Sequence, residues 1–453
     1  MTEVETLAEF VTRASFDVLS REALEQLKVR ILDALGCALG ALGAEPVRML
    51  RELTAELGGA KQCTTIGAGA TAPDRAALMN GFLVRYLDFN DSYLARGETC
   101  HPSDSLAAVL AACQYAGRPG RDLLASLAVA YQVQCRLSDE APVRARGFDH
   151  TVQGAYAAAA GAARALGLDV QKVANAIAIS GTAFNALRVT RTGALSHWKG
   201  LAAPHMAAGA LHAALMAMHG ITGPREVFEG NKGLKGSIAG PFSIRWEAEN
   251  LERVTRTIVK RYNAEIHSQA TLEGVLELRG TGAFASGIES IDVETFDVAY
   301  NIIGGGEEGD KTAIGTKEEA DHSLPYMIAA AALDGNVMPE QYALERIRRQ
   351  DIQSLLRKVK IRPAPDLSGK FPEQMPCRIT VRLTGGRTLT AEKKDYEGFH
   401  TRPMSWDIAR RKFETLAARG ADKALRDEIA DAVRRLEDIR VEDLCGLLEK
   451  AGR

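Results

Sequence analysis

"REALEQLKVRILDALGCALGAL", Arg21 to Leu42, is the stretch that decides the fold. Its apolar residues recur at a spacing of three and four, which marks one buried face of a helix. The same texture continues to about residue 245. "DLLASLAVAYQVQCRLSD" (122–139), "TVQGAYAAAAGAARALG" (151–167) and "HWKGLAAPHMAAGALHAALMAMHG" (197–220) all repeat it. Small residues dominate these runs. Ala and Gly faces let helices approach closely, so a compact helical bundle is expected.

After Trp246 the pattern changes. "RTIVKRYN" (256–263), "IESIDVETFDVAY" (288–300), "VKIRPAP" (359–365) and "CRITVRLTGGRTLTAEKKDY" (377–396) alternate and are β-branched, as strands do. The Gly-Gly pair in the last predicts a hairpin. Helical runs at 267–279 and 323–334 lie between them. "SWDIARRKFETLAARG" and "ADKALRDEIADAVRRLEDI" then read as helix again. The expected fold is mainly α: a large all-α bundle over 1–254, an inserted smaller α+β lid over 255–395, and helices over 396–453 that return to the bundle.

The 453 residues exceed one ordinary core, and two domains follow from length alone. A net charge of -2 gives no global basic field for nucleic acid. The seven cysteines, at 37, 63, 100, 113, 135, 377 and 445, form no C-x-x-C pair. That spacing argues against zinc, an Fe–S cluster or a disulfide framework, and no metal or cofactor is expected. The start, "MTEVETLAEFVTRASFDVLS", is amphipathic and acidic, unlike a secretory leader. No window is read as a membrane span. A cytoplasmic location and no membrane partner are expected.

Five stretches carry candidate chemistry. "LDFNDSYLARGETCHPSD" (87–104) interrupts the helices with acidic groups and one histidine. If 79–94 is helical, Asp88 and Ser92 share a face, with Asp91 beside them. His101 then begins the next helix, whose dipole favours neutral imidazole, a form that accepts a proton. The competing reading makes these residues helix caps. "RARGFDHTVQG" (144–154) sets Asp149 and His150 together, with Asp149 a candidate cap. "ALSHWKGLAAPHMAAG" (194–209) places Lys199 among small residues, either reaching solvent or held for an anion. "YNAEIHSQATLEGVLELR" (262–279) puts His267 before a helix. "GGGEEGDKTAIGTKEEADHSLPYM" (304–327) fails as a phosphate loop because Asp310 precedes Lys311, but it sets Asp321, His322, Ser323 and Tyr326 at a helix start. No G-x-S-x-G elbow and no full dinucleotide fingerprint is present.

Taken in order, "LDALGCALGAL", "MNGFLVRYLDFND…HPSD", "GFDHT", "HWKGLAA", "AEIHSQATLE", "ADHSLPYMIAAAALDG" and "RPMSWDIARRKF" resemble the MmgE/PrpD family across nearly the whole chain. That family includes 2-methylcitrate dehydratase, cis-aconitate decarboxylase and iminodisuccinate epimerase. The resemblance implies a helical domain with a smaller α+β lid, a homodimer, no metal, and an active site in the cleft between the domains. It carries the family's site motifs onto Asp88, Ser92, His101, Lys199, His267 and Tyr326. Departures are Ser92 for a threonine, a longer 92–101 loop, and Asp149 where the decarboxylases have histidine, with His150 one step on. The last disfavours decarboxylation, while "GFDHT" and "ADHSLPY" resemble the dehydratase-like branch, so dehydration of a 2-methylcitrate-like tricarboxylic acid is expected. Epimerisation of a related dicarboxylic acid is the runner-up, and decarboxylation comes third.

The shared hard step is proton removal beside a carboxylate, which needs a base and concentrated positive charge. His101, oriented by Asp88, is the expected base. Lys199, His267 and the arginines at 144–146 and 188–191, Arg191 among them, are the expected clamps. Tyr326 or His322 is the expected acid for the leaving hydroxyl. Asp91, Ser92 and His150 are expected to bind substrate.

Overall fold

The computed structural model describes residues 1–193 and 195–452. Ala194, at the head of the stretch bearing Lys199, and Arg453, at the end of the returning segment, lie outside the described residues. The described residues are mainly helical and divide into two compact units. The first comprises Met1–Arg191, His197–Val259 and Met404–Arg453, and the second Thr192–Ser196 and Lys260–Pro403.

In the first unit the Arg21–Ala41 helix starts where Ser20 accepts the Ala23 N–H, a side-chain cap. The helices Pro73–Tyr86 and Gly120–Glu140 pack against it, and Leu106–Tyr115, Thr151–Leu166 and Trp198–Met218 pack against these and one another. Glycines permit the closest approaches. A Cβ on Gly81 would lie 3.2 Å from the Pro204 Cβ, and one on Gly161 would lie 3.0 Å from the Ala130 Cβ. Such seams leave no room for larger side chains.

The Trp198–Met218 helix meets a membrane-span criterion that the sequence reading did not assign to it. It is long and apolar enough to cross a membrane by length and composition, with 61% of the relevant window buried. Here it is a bundle helix, buried against Pro73–Tyr86, Thr151–Leu166 and Val170–Ala183.

Two short hairpins, Cys63–Thr65 with Gly69–Thr71 and Tyr93–Ala95 with Glu98–Cys100, sit inside the region expected to be all helix. Strands of three residues are too short to show a period of two, so the sequence gives no sign of them. The expected strand at 256–263 does not form. Ile258 makes one isolated antiparallel bridge with Ser92, after a 3₁₀ turn at Arg253–Arg256.

The second unit is α+β. Its sheet runs Val359–Pro363, Ile288–Thr295, Cys377–Leu383, Thr388–Lys393, with the first pair parallel and the rest antiparallel. A parallel pair needs a long crossover, and the chain between them includes the Leu324–Asp334 helix. Cys377, Ile379, Val381 and Leu383 alternate inward. The expected hairpin turn forms at Gly385 and Gly386, whose φ of 98° and 89° suit glycine.

All seven cysteines are buried free thiols. Burial pushes the Cys63 and Cys377 thiols up to about 12.

Candidate active site

The Pro73–Tyr86 helix stops before Asp88, so Asp88 and Ser92 do not share a helix face as expected. Asp88 has φ 52°, a left-handed conformation uncommon for a residue with a Cβ. The chain turns there and runs into the Tyr93–Cys100 hairpin. Because Tyr93 pairs with Cys100, the residues just outside, Ser92 and His101, become neighbours. Ser92 is tied from the other side, where its N–H and carbonyl both bond Ile258 at 2.8 Å.

His101 is buried, at 7% exposed. Its Nδ1 lies 2.7 Å from the Asp91 carbonyl and 3.1 Å from the Ser92 Oγ. A carbonyl only accepts, so Nδ1 carries the hydrogen and the lone pair is on Nε2. The Asp91 carbonyl and the Ser92 hydroxyl are thus the groups seen on Nδ1. Asp91 is itself anchored: Tyr131 donates to Oδ2 at 2.6 Å and the Ser103 N–H to Oδ1 at 3.1 Å. Burial raises the Asp91 carboxyl above its usual range, against the pull of those bonds.

Asp88 belongs to a charge cluster. Arg85 donates to its Oδ1, and the Lys199 Nζ lies 3.3 Å from its Oδ2. Lys199 sits in the first turn of its helix, where the dipole disfavours a cation, and the Asp88 carboxylate offsets that. Arg85 also reaches Asp104, at 3.6 Å. Burial opposes the Arg85 charge, but Asp88 and Asp104 outweigh it and hold the guanidinium firmly protonated.

A second cluster adjoins this one. Asp149 accepts from Arg191 Nε at 2.8 Å, and Arg191 also donates to the Lys199 carbonyl at 2.8 Å. Burial works against the Asp149 charge, but Arg191, His150 and Arg188 hold its carboxyl well below the carboxylate range. Asp149 also takes the Thr151 N–H at 3.1 Å, the expected capping role. His150 has Asp149 Oδ1 at 3.4 Å from Nδ1 and Asp104 Oδ2 at 3.7 Å from Nε2. Its ring centroid is 5.2 Å from that of His101.

The first unit thus gathers Asp88, Asp91, Ser92, His101, His150, Arg191 and Lys199. Arg85 and Asp104 were missed by sequence reasoning. Their signal was spacing: Arg85 stands three residues before Asp88, and Asp104 three after His101.

In the second unit, Glu265 grips His267 twice, Oε2 taking its backbone N–H and Oε1 facing Nδ1, both at 2.7 Å. Burial raises the Glu265 carboxyl, but His267, His322 and Lys260 overcome this and bring it down to about 2. The His267 ring sits beside Phe296 and Phe371, themselves stacked at 4.5 Å. His322 Nδ1 faces Asp321, whose carbonyl accepts the Glu265 N–H at 3.2 Å. Tyr326 is placed otherwise than expected. Its fully buried ring lies in the Leu324–Asp334 helix and its hydroxyl donates to the Gln341 carbonyl. Arg346, Asp334 and Asp351 are the charges around it, and burial raises its phenol. That proton is committed to a backbone oxygen.

Residues 5–247 match the MmgE/PrpD N-terminal domain and residues 262–438 the MmgE/PrpD C-terminal domain. The chain is 25% identical to the 2-methylcitrate dehydratase of Salmonella typhimurium over 465 residues, covering 95% of this chain and 93% of that one. It is 25% identical to the cis-aconitate decarboxylase of Mus musculus over 462 residues, covering 96% and 91%. It is 26% identical to an alkylcitrate dehydratase of a fungal species over 482 residues, covering 97% and 92%. With matches to both domains spanning most of its length, the chain belongs to the MmgE/PrpD family.

Proposed function

We propose that this chain is a hydro-lyase that dehydrates a 2-methylcitrate-like tricarboxylic acid. The observation that carries the reading is the His101 arrangement. An imidazole with Nδ1 fixed on the Asp91 carbonyl offers Nε2 as a base. The carbon it would deprotonate lies next to a carboxylate. Negative charge then develops on that carboxylate, and Lys199 with Arg191 supplies the compensating charge. His150 has carboxylate oxygens of Asp149 and Asp104 at 3.4 Å and 3.7 Å from its two ring nitrogens. It is the proposed donor to the leaving hydroxyl. The two relatives named as citrate-type dehydratases support this reaction class.

The test is incubation with 2-methylcitrate in deuterium oxide, followed by NMR. Formation of an alkene with loss of water supports the reading. Deuterium entry without an alkene points to epimerisation, and neither outcome with any of a panel of di- and tricarboxylic acids overturns the enzymatic reading. Turnover is expected to survive EDTA, since the proposed chemistry uses side chains alone.

A further inference from the structure

The last helical segment returns to the first unit and brings one buried cation with it. Lys412, on the Trp406–Ala417 helix, is 8% exposed. Its Nζ lies 2.7 Å from the Asp33 Oδ1, donates to the Phe89 carbonyl at 2.8 Å, and stands 3.6 Å from the centre of the Phe89 ring. The helix packs closely on Arg21–Ala41. A Cβ on Gly36 would lie 3.1 Å from the Phe413 Cα, and one on Gly40 would lie 3.2 Å from the Leu416 carbonyl.

Phe89 follows Asp88, the residue with φ 52° whose carboxylate joins Arg85 and Lys199. The same Arg21–Ala41 helix grips the other flank of this loop. Arg30, three residues before Asp33, donates to the Thr257 Oγ1 at 2.8 Å, and the next residue, Ile258, bridges Ser92. Asp33 and Arg30, one turn apart on a single helix, therefore reach this segment at Phe89 through Lys412 and at Ser92 through Thr257 and Ile258. A surface lysine would do nothing of this kind, and burying one without need is costly.

We propose that Lys412, locked by Asp33, is a positioning residue that holds Asp88 in its left-handed conformation and so aims it at Lys199. The catalytic consequence rests on the proposed function, whereas the positioning does not.

The test compares the wild type with the charge-free double variant Asp33→Asn/Lys412→Met, and with Lys412→Arg. Amide hydrogen exchange over residues 88–92, the thermal midpoint, and kcat and KM on 2-methylcitrate are read. The double variant should keep its thermal midpoint within a few degrees, raise exchange over 88–92 at least ten-fold and lower kcat at least ten-fold, with KM changed less. Lys412→Arg keeps the charge and should give smaller changes of both kinds. A folded double variant with exchange and kcat within two-fold of wild type overturns the proposal. If the wild type does not turn over 2-methylcitrate, the exchange result alone decides, and only the proposed function fails. If the double variant does not fold, Asp33→Asn, which unlocks Lys412 without changing side-chain volume, decides by the same exchange measurement, and wild-type protection there overturns the proposal.

Discussion

Ser92 and His101 face each other across the open end of a hairpin, with 3.1 Å from hydroxyl oxygen to Nδ1. Neither sits on a helix. Backbone pairing brings them together, and the Ser92–Ile258 bridge holds the pair in place. In the proposed reaction, a proton acceptor mounted this way takes its direction largely from backbone contacts.

Replacing that acceptor should be costly to rate and cheap to fold. His101→Asn is expected to lower kcat ~10²–10⁴-fold, the usual contribution of a general base. The thermal midpoint should move little, and deuterium entry into substrate should fall in parallel. Normal deuterium entry would remove His101 from the proton-transfer step.

Lys199→Ala should lose about 10²–10³ in kcat, the cost of removing one charge-stabilising donor. Asp88→Asn should do less, because Arg85 and Lys199 keep their charges. Steady-state rates on 2-methylcitrate order the two, and the reverse order would remove Lys199 from direct charge stabilisation.

Tyr326→Phe separates a core tyrosine from an acid catalyst. Its hydroxyl is bonded to the Gln341 carbonyl, so removal should cost about 1–3 kcal/mol of stability. The kcat should stay within three-fold of wild type. A large loss of kcat at unchanged stability would restore Tyr326 as the proton donor.

Glu265 gives the fold an acid limb. Its carboxyl is brought from an ordinary 4.5 down to about 2, so the folded form binds fewer protons than the unfolded chain in that window. The stabilisation is fully present above about pH 4.5 and is lost as pH falls through about 2. Its size is on the order of 3 kcal/mol. Denaturant titrations from pH 6 to 2 should show this loss, and Glu265→Gln should flatten it.

How much of this was legible in the sequence depends on the residue. Long helices such as Arg21–Ala41 and Thr151–Leu166 announce themselves by period, and the Gly385–Gly386 turn by composition. His101, Lys199 and His267 were legible as unusual polar groups beside apolar runs. The orientation of His101 was not, because it depends on a three-residue strand pair and on the Asp91 backbone. Arg85, Asp104 and Glu265 looked like ordinary charges. Only burial and partners distinguish them, and those come from residues distant in the chain. Tyr326 failed the other way: its motif position suggested chemistry, while packing against Gln341 gives its proton to the backbone. Lys412 is the furthest case, since nothing local relates it to Phe89.

The seven enclosed sulfhydryls give this chain a built-in stopwatch. With Cys63 and Cys377 pushed up to about 12, thiolate is scarce until the interior opens. Uptake of a maleimide or disulfide reagent would then clock opening events, residue by residue, under native conditions.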